Sequence, residues 1–101
     1  MLKDPFPSSS AQSAQALWYV ASEQAECRIE TLPRLAEGAV QVRSIFGALS
    51  RGTESLVYRG QVPEAEYTRM RAPFMGGAFP FPVKYGYSNV GRVEQGPESL
   101  L

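Results

Sequence analysis

The chain has 101 residues, a length typical of one domain, and 44% of them are hydrophobic, which is enough for a modest core and too many for wholesale disorder. Ten basic residues balance ten acidic ones, so no global field draws the protein to nucleic acid or to an anionic membrane. The sequence has no histidine, which excludes a Ser-His-Asp or Cys-His device within the chain and a zinc site of ordinary composition.

The composition also bears on the compartment. The single cysteine, Cys27, has no partner for an internal disulfide, which fits a reducing environment. No apolar run approaches the roughly 20 residues that span a bilayer, and the first residues lack the apolar segment of a signal peptide. The sequence therefore predicts a cytoplasmic protein without a membrane partner.

The first predicted strand follows a polar N-terminal segment. Residues 1–15 contain two prolines, four serines and two glutamines, and we expect a disordered tail there. The apolar run Ala16 to Ala21 is rich in aromatic and β-branched residues and predicts a strand. The polar stretch Ser22 to Glu26 is expected to turn the chain.

Two further strands are predicted from alternating side chains. Cys27, Ile29 and Thr31 alternate with charged residues, which predicts a half-buried strand with Cys27 buried and inert. After a turn at Glu37-Gly38, Val40, Val42 and Phe46 are expected on one face of the next strand. Since a turn separates these two strands, we expect them to form an antiparallel pair.

Two short helices are predicted next. Thr53 is a candidate N-cap for a helix that begins at Glu54 and stops at Gly60. Pro63 suits the first position of a second helix, which has acidic residues in its first turn and arginines in its last. Pro73 ends that helix.

The remainder of the chain is predicted to be a loop and a strand. Pro73–Pro82 contains prolines and glycines that do not suit a ladder, so it is expected to be a loop. Val83–Glu94 is expected to be a strand with Val83, Tyr85 and Tyr87 on one face. The overall pattern is mostly β with two short helices between the third and fourth strands, for which a small barrel or curled sheet is the natural closure.

Polar residues gather where the third strand gives way to the first helix. Ser50, Arg51, Thr53 and Glu54 are the first candidates for chemistry, because a rigid frame holds such a junction while leaving it open to a ligand. A fixed guanidinium stabilises negative charge, and a threonine hydroxyl passes a proton. The structural alternative is a helix cap together with a surface ion pair between Arg51 and Glu54.

Glycines and aromatic residues form the other conspicuous patterns. Gly86–Gly91 has the glycine spacing of a phosphate-binding loop, but Arg92-Val93 replaces the required Lys-Ser/Thr and the segment is predicted as strand, so the match is rejected. The glycines instead suit close approach of a backbone or a ligand. Five aromatic side chains either line an apolar pocket or form a lid, or else they pack in the core or cover a sheet edge. They are Phe74, Phe79, Phe81, Tyr85 and Tyr87.

Three segments together resemble a known family. They read Gly47-Ala-Leu-Ser-Arg-Gly-Thr-Glu54, Tyr58-Arg-Gly60 and Tyr85-Gly-Tyr-Ser-Asn-Val-Gly-Arg-Val93. Their order and spacing resemble the N-terminal GroES-like domain of zinc-type alcohol dehydrogenases, in the medium-chain dehydrogenase/reductase superfamily. That domain has a Gly-Ile-Cys-Gly-Thr-Asp motif, a short helix ending in Arg-Gly, then Pro-Gly-His-Glu and a Gly-x-Val strand. The resemblance covers about residues 16–96.

The sequence departs from this family at the metal ligands. Arg51, or Ser50 if the loop shifts by one residue, stands where the family has its zinc cysteine, and Tyr87 stands where it has its zinc histidine. No zinc is therefore expected. Thr53 matches the family's proton-relay hydroxyl. In these features the chain is similar to the branch that contains bacteriochlorophyllide dehydrogenases.

The resemblance implies a partly open GroES-like barrel, incomplete at its C-terminus, from a zinc-independent NAD(P)-dependent oxidoreductase. Hydride would pass between nicotinamide and an alcohol, carbonyl or activated alkene. The catalytic candidates are Arg51, replacing the metal's charge, Thr53, relaying a proton, and Glu54. The candidates for shaping the substrate pocket are Ser50, Tyr58, Tyr85 and Tyr87.

The resemblance also places this chain within a larger protein. We expect a Rossmann domain, which would bind most of the NAD(P), to follow Leu101 in a longer gene product, and this domain to be inactive alone. The full-length protein would act on a small molecule and is a candidate homodimer. The alternative is a non-enzymatic small β-barrel that binds a protein or an apolar ligand through Pro73–Pro82.

Overall fold

A computed structural model describes residues 12–101. Strands hold 40% of these residues and helices 19%, so the predicted mostly-β class is confirmed. The strands are β1 (Ser13–Ala21), β2 (Gln24–Thr31), β3 (Gln41–Ala48), β4 (Val83–Lys84) and β5 (Ser88–Gln95). The helices are α1 (Thr53–Arg59), α2 (Tyr67–Met70) and the single 3-10 turns Glu64–Glu66 and Glu98–Leu100.

The described residues divide into two compact units. The helical unit comprises Gln15–Glu30 and Leu49–Tyr87, and contains a three-stranded sheet in the order β2-β1-β4. The ribbon unit comprises Thr31–Ala48 and Ser88–Leu101, with the described residues before Gln15, and contains the antiparallel pair β3-β5. The described residues form these two sheets and no closed barrel, so closure into a GroES-like barrel stays a prediction.

The first hairpin is longer than its sequence predicted. The turn occupies only Ser22 and Glu23, so most of the polar stretch Ser22 to Glu26 is strand. The strand β1 begins at Ser13, inside the expected tail, and the residues before 12 lie outside the described range. Pairing explains this early start, because the Leu32 N–H donates to the Gln12 carbonyl at 2.7 Å.

The tip of this hairpin is fastened to the end of α1. The Glu23 N–H donates to the Tyr58 carbonyl at 2.7 Å, and the Tyr58 hydroxyl donates to the Glu23 carbonyl at 3.0 Å. The Ser22 hydroxyl donates to the Arg59 carbonyl at 3.0 Å. These bonds satisfy two carbonyls at the helix end, those of Tyr58 and Arg59, and hold Glu23 in its left-handed conformation, with φ at 59°.

The alternation predicted for β2 is present, but its buried face is the opposite one. Cys27 is exposed and Ile29 is 75% exposed, so the prediction of a buried Cys27 was wrong. The half-buried residues are Arg28 and Glu30. The cause is Trp18: the Arg28 guanidinium lies 4.7 Å from the centre of its ring, and its indole N–H donates to Glu30 Oε2 at 2.6 Å.

The core of the helical unit joins the sheet to the helices and the loop. Val57 of α1 and Val83 of β4 are almost fully buried, at 1% and 0% exposure. The other buried members of this cluster are Tyr19, Val62 and Met75. Phe79 and Phe81 are half-buried and pack against the cluster, so these two loop aromatics follow the core interpretation.

The ribbon unit corrects the predicted strand pairing. The strand β3 pairs with β5, with Val42 opposite Val93 and Phe46 opposite Val90, and not with β2. The strand β2 pairs instead with β1, which it follows through a two-residue turn. An irregularity between Ser44 and Phe46 places Ile45 as an extra residue in β3.

The predicted final strand is interrupted. Val83–Lys84 pairs with β1, whereas Ser88–Gln95 pairs with β3, and the chain leaves both ladders at Tyr85–Tyr87. Within β5 the predicted close approach is confirmed at Gly91, where a Cβ would lie 2.5 Å from the Arg43 carbonyl oxygen.

Both predicted helices are present between β3 and β4. The first ends at Gly60, with φ at 71°, where the Gly60 N–H donates to the Val57 carbonyl and the Gln61 N–H to the Leu56 carbonyl, a Schellman arrangement. The second follows Pro63 as a 3-10 turn that continues into α2. No helix in the described part of the chain is both long and apolar enough to span a membrane.

The Gly60→Ala substitution tests the packing at this helix end. An alanine there adopts an unfavourable positive φ and places its Cβ 2.8 Å from the Phe81 ring. Gly38→Ala is a matched control, because Gly38 also has a positive φ but has open space around it. We expect urea unfolding to show a loss of about 1 kcal/mol for the control and a clearly larger loss for Gly60→Ala. Equal losses would show that the Phe81 contact costs nothing.

Candidate functional site

A buried carboxylate lies at the start of α1. Glu54 is 2% exposed, although it is the second residue of the helix. The Ser50 N–H donates to Glu54 Oε2 at 2.9 Å, and the Glu54 N–H donates to the Ser50 hydroxyl oxygen at 3.0 Å. This reciprocal pair resembles a capping box with one more residue between its partners.

The reciprocal pair corrects the predicted cap. Gly52 occupies the N-cap position and makes no side-chain cap bond, while Thr53 is the first helical residue. Ser50 therefore supplies the oxygen that Thr53 was expected to supply. Sequence reasoning missed this because the usual signature places the two partners three residues apart, whereas here they are four apart.

Tyr19 is a member of the site that sequence reasoning missed. Its side chain is 3% exposed, and its hydroxyl donates to Glu54 Oε1 over a long 3.5 Å. Burial raises the pKa of the Tyr19 phenol, and the charge and hydrogen bond of Glu54 raise it further. In the sequence, Tyr19 appears only as one residue of an apolar strand; its pairing with Glu54 depends on tertiary structure.

The second motif of the resemblance reaches the same carboxylate. A Cβ built on Gly86 would lie 3.7 Å from Glu54 Oε1, so this backbone passes beside the acid. Burial raises the pKa of the neighbouring Tyr85 phenol, followed by the charges of Tyr87 and Glu54. The Tyr85 and Tyr87 rings meet edge to face, with centroids 6.3 Å apart. The two motifs are thus adjacent in the helical unit.

The other predicted site residues lie farther out. Arg51 is exposed, and no ion pair joins it to Glu54, so the expected surface ion pair is not formed between these two described residues. Thr53 is half-buried at the first turn of α1. The rings of Tyr58 and Tyr19 meet edge to face, with centroids 6.2 Å apart. The Tyr58 hydroxyl donates its hydrogen bond to the Glu23 carbonyl in the hairpin. The predicted place of Tyr58 in the substrate pocket stays a prediction.

The chemistry of this arrangement is that of a protected acid beside hydroxyl groups. A carboxylate that is removed from water and held by a peptide N–H and a phenol keeps a fixed orientation. Within residues 12–101, no group of three or more His, Cys, Asp or Glu side chains is arranged to hold a metal ion. The described part of the site thus consists of a carboxylate, hydroxyls and the exposed Arg51.

No protein-family model matches the chain, and neither does any curated protein or solved structure. The resemblance to GroES-like domains therefore rests on the order of the sequence motifs and stays a prediction. The adjacency of Glu54 and Gly86 is a separate observation, because it comes from the fold.

The corrected cap gives a prediction about stability. We expect Ser50→Ala to lower the free energy of unfolding by about 1 kcal/mol, since it leaves the Glu54 N–H without its partner. Thr53→Ala is the matched control and is expected to stay within about 0.5 kcal/mol of the wild type, because Thr53 makes no cap bond. Urea unfolding of both variants measures these changes in the free energy of unfolding. A larger loss for Thr53→Ala than for Ser50→Ala would show that Thr53 caps the helix, as the sequence predicted.

The raised pKa of Tyr19 predicts a loss of stability at alkaline pH. Above the ordinary value of 10.0 the unfolded chain loses this proton before the folded chain does, so the free energy of unfolding falls as pH rises through the folded pKa. We expect Tyr19→Phe to reduce this slope, with a remainder from Tyr85. Urea unfolding from about pH 8 to about pH 11 measures both slopes; parallel curves would contradict the assignment.

Proposed function

We propose that this chain is the N-terminal substrate-binding and catalytic domain of a zinc-independent, NAD(P)-dependent oxidoreductase of the alcohol dehydrogenase type. The observation that carries this proposal is the adjacency of Glu54 and Gly86, because each belongs to one of the two principal motifs of the resemblance. Thirty residues lie between these two motifs in the sequence, so their contact supports a shared site.

The proposal assigns roles to the residues at the start of α1. Arg51 is exposed and supplies the fixed positive charge that steadies a negatively charged substrate oxygen. The Thr53 hydroxyl, at the first turn of the helix, passes a proton to or from that oxygen. Glu54 is buried and orients this turn through Ser50. Tyr85 and Tyr87 line the substrate pocket beside this helical turn.

NAD(P) would accept or supply the hydride when bound, mainly outside this chain. The described residues do not fit its pyrophosphate. The segment Ser88–Gly91, which carries most of the glycine-spaced motif, is extended strand and offers no helix N-terminus. We assign no step to the nicotinamide, and the cytoplasm remains the proposed compartment.

The decisive assay uses the protein encoded by the whole reading frame that contains this chain. We expect oxidation or reduction of NAD(P) with alcohols, carbonyls or activated alkenes, and a fall in kcat/KM of about tenfold to a thousandfold for Thr53→Ala and for Arg51→Ala. Thr68→Ala and Arg92→Ala are matched controls, because both residues are exposed and lie outside the site.

Two results would overturn the proposal. One is unchanged turnover in both Thr53→Ala and Arg51→Ala. The other is failure of the full-length protein to bind NADH or NADPH in equilibrium dialysis. Stoichiometric zinc, with activity lost to a chelator, would contradict the zinc-independent assignment alone.

A second candidate function is favoured by Phe74. This residue is fully exposed and has a positive φ of 63°, so the Pro73–Pro82 loop displays an aromatic ring to solvent. A non-enzymatic domain that binds a protein through this loop would use Phe74, since Phe79 and Phe81 pack against the core. Absence of NADH and NADPH binding would favour this candidate.

A further inference from the structure

The helical unit contains an open groove of about 320 Å³. Its volume lies at the small end of the range of about 300–1,000 Å³ that small-molecule sites occupy. The walls come from β1, from the loop after α2 and from the end of β4. They include Leu17, Phe74, Met75, Lys84, Tyr85 and Gly86.

The groove arises from unequal strand lengths. The strand β1 has nine residues, but β4 has two and covers only Trp18 and Tyr19 of β1. Beyond Lys84 the chain departs, and the opened side of β1 becomes a wall. The opposite wall is held by Arg71, which donates to the Gly77 carbonyl at 2.8 Å and the Met75 carbonyl at 3.1 Å. The groove is therefore built by the fold itself.

The charged groups around the groove are already engaged. The Lys84 ammonium donates to Glu30 Oε1 at 2.7 Å. Glu54, beside Gly86, accepts from the Ser50 N–H and the Tyr19 hydroxyl. Among the described residues that line this groove, the one charged side chain is Lys84, and it is already paired with Glu30. A charged ligand would therefore lose its hydration without finding a free ionic partner in the lining.

Two aromatic residues, Phe74 and Tyr85, line the groove. Phe74 stands fully exposed at the rim, where its ring can cover a flat ligand. Tyr85 also lines the groove and is half-buried, so its ring adds aromatic surface to the wall. The remaining lining is mainly aliphatic, with the adaptable side chain of Met75.

We propose that this groove binds an uncharged small molecule with an apolar, ring-shaped body. The inference rests on the proposed function in one respect only: the bound molecule is the substrate of the oxidoreductase. Binding itself depends on the groove alone, so the two are tested separately.

The test uses the neutral fluorescent probe N-phenylnaphthylamine and the full chain. Trp18 is the single tryptophan in the sequence. The centre of its ring lies 5.7 Å from the ammonium of Lys84, which is a lining residue of the groove. We expect saturable binding at one probe per chain, with energy transfer from Trp18 to the probe. Anilinonaphthalene sulfonate has a similar ring system with an added negative charge, and we expect it to bind at least about tenfold more weakly.

Two variants localise the binding. Phe74→Ala removes the rim without disturbing the core, and we expect its dissociation constant for N-phenylnaphthylamine to rise about fivefold to tenfold. Phe46→Ala is the matched control, since Phe46 is 65% exposed and lies in the ribbon unit; its dissociation constant should equal that of the wild type.

Several results would overturn the inference. No saturable binding, tighter binding of the sulfonate, or equal effects of Phe74→Ala and Phe46→Ala would each do so. Binding that weakens as protein concentration rises would assign the groove to a second copy of the chain. Probe binding without NAD(P)-dependent turnover in the full-length protein would refute the proposed enzyme activity and support the groove as a binding site. Turnover without probe binding would support the enzyme activity and refute the groove as a binding site.

Discussion

Glu54 is a charged side chain that this small fold removes from water. Such a group costs several kcal/mol unless its oxygens receive hydrogen bonds, and two segments provide them. The peptide N–H of Ser50 donates to one oxygen, and the hydroxyl of Tyr19 approaches the other. The burial of Glu54 therefore requires the strand β1 and the start of α1 to keep fixed positions in the helical unit.

The same requirement shapes the neighbouring chain. Gly86 passes close to the acid, and the aromatic residues on either side of it, Tyr85 and Tyr87, pack edge to face. Tyr85 in turn contacts the ring of Phe79, with centroids 5.8 Å apart. A continuous set of aromatic contacts thus leads from the carboxylate to the loop that borders the groove. The acid and the groove belong to one packed region.

The sequence pattern identified most of the strands and helices, but not which of their faces are covered. Alternation predicted β2, yet alternation is the same for either face, and only the position of Trp18 decides that Arg28 and Glu30 are covered while Cys27 is not. The helix stop at Gly60 was predictable because a left-handed residue there favours glycine.

The site was predictable only in part, because a sequence shows local patterns but not contacts between distant residues. A cluster of polar residues at a strand–helix junction is visible in sequence, and Ser50, Glu54 and Tyr85 do come together. The contribution of Tyr19 was not visible, because it depends on contact between residues 35 positions apart. Likewise, threonine is a favoured capping residue, but in this loop the Ser50 hydroxyl, and not that of Thr53, accepts a hydrogen bond from an N–H of the first helical turn.

The bonds that fasten the first hairpin to α1 have a consequence for how the helical unit forms. Ser22 and Arg59 are 37 residues apart, Glu23 and Tyr58 are 35 apart, and the ion pair of Glu30 with Lys84 spans 54. Each contact forms only after a long loop has closed, so none stabilises the chain on its own early in folding. The unit therefore assembles as a cooperative whole, in which the hairpin, the helix and the last short strand gain stability together.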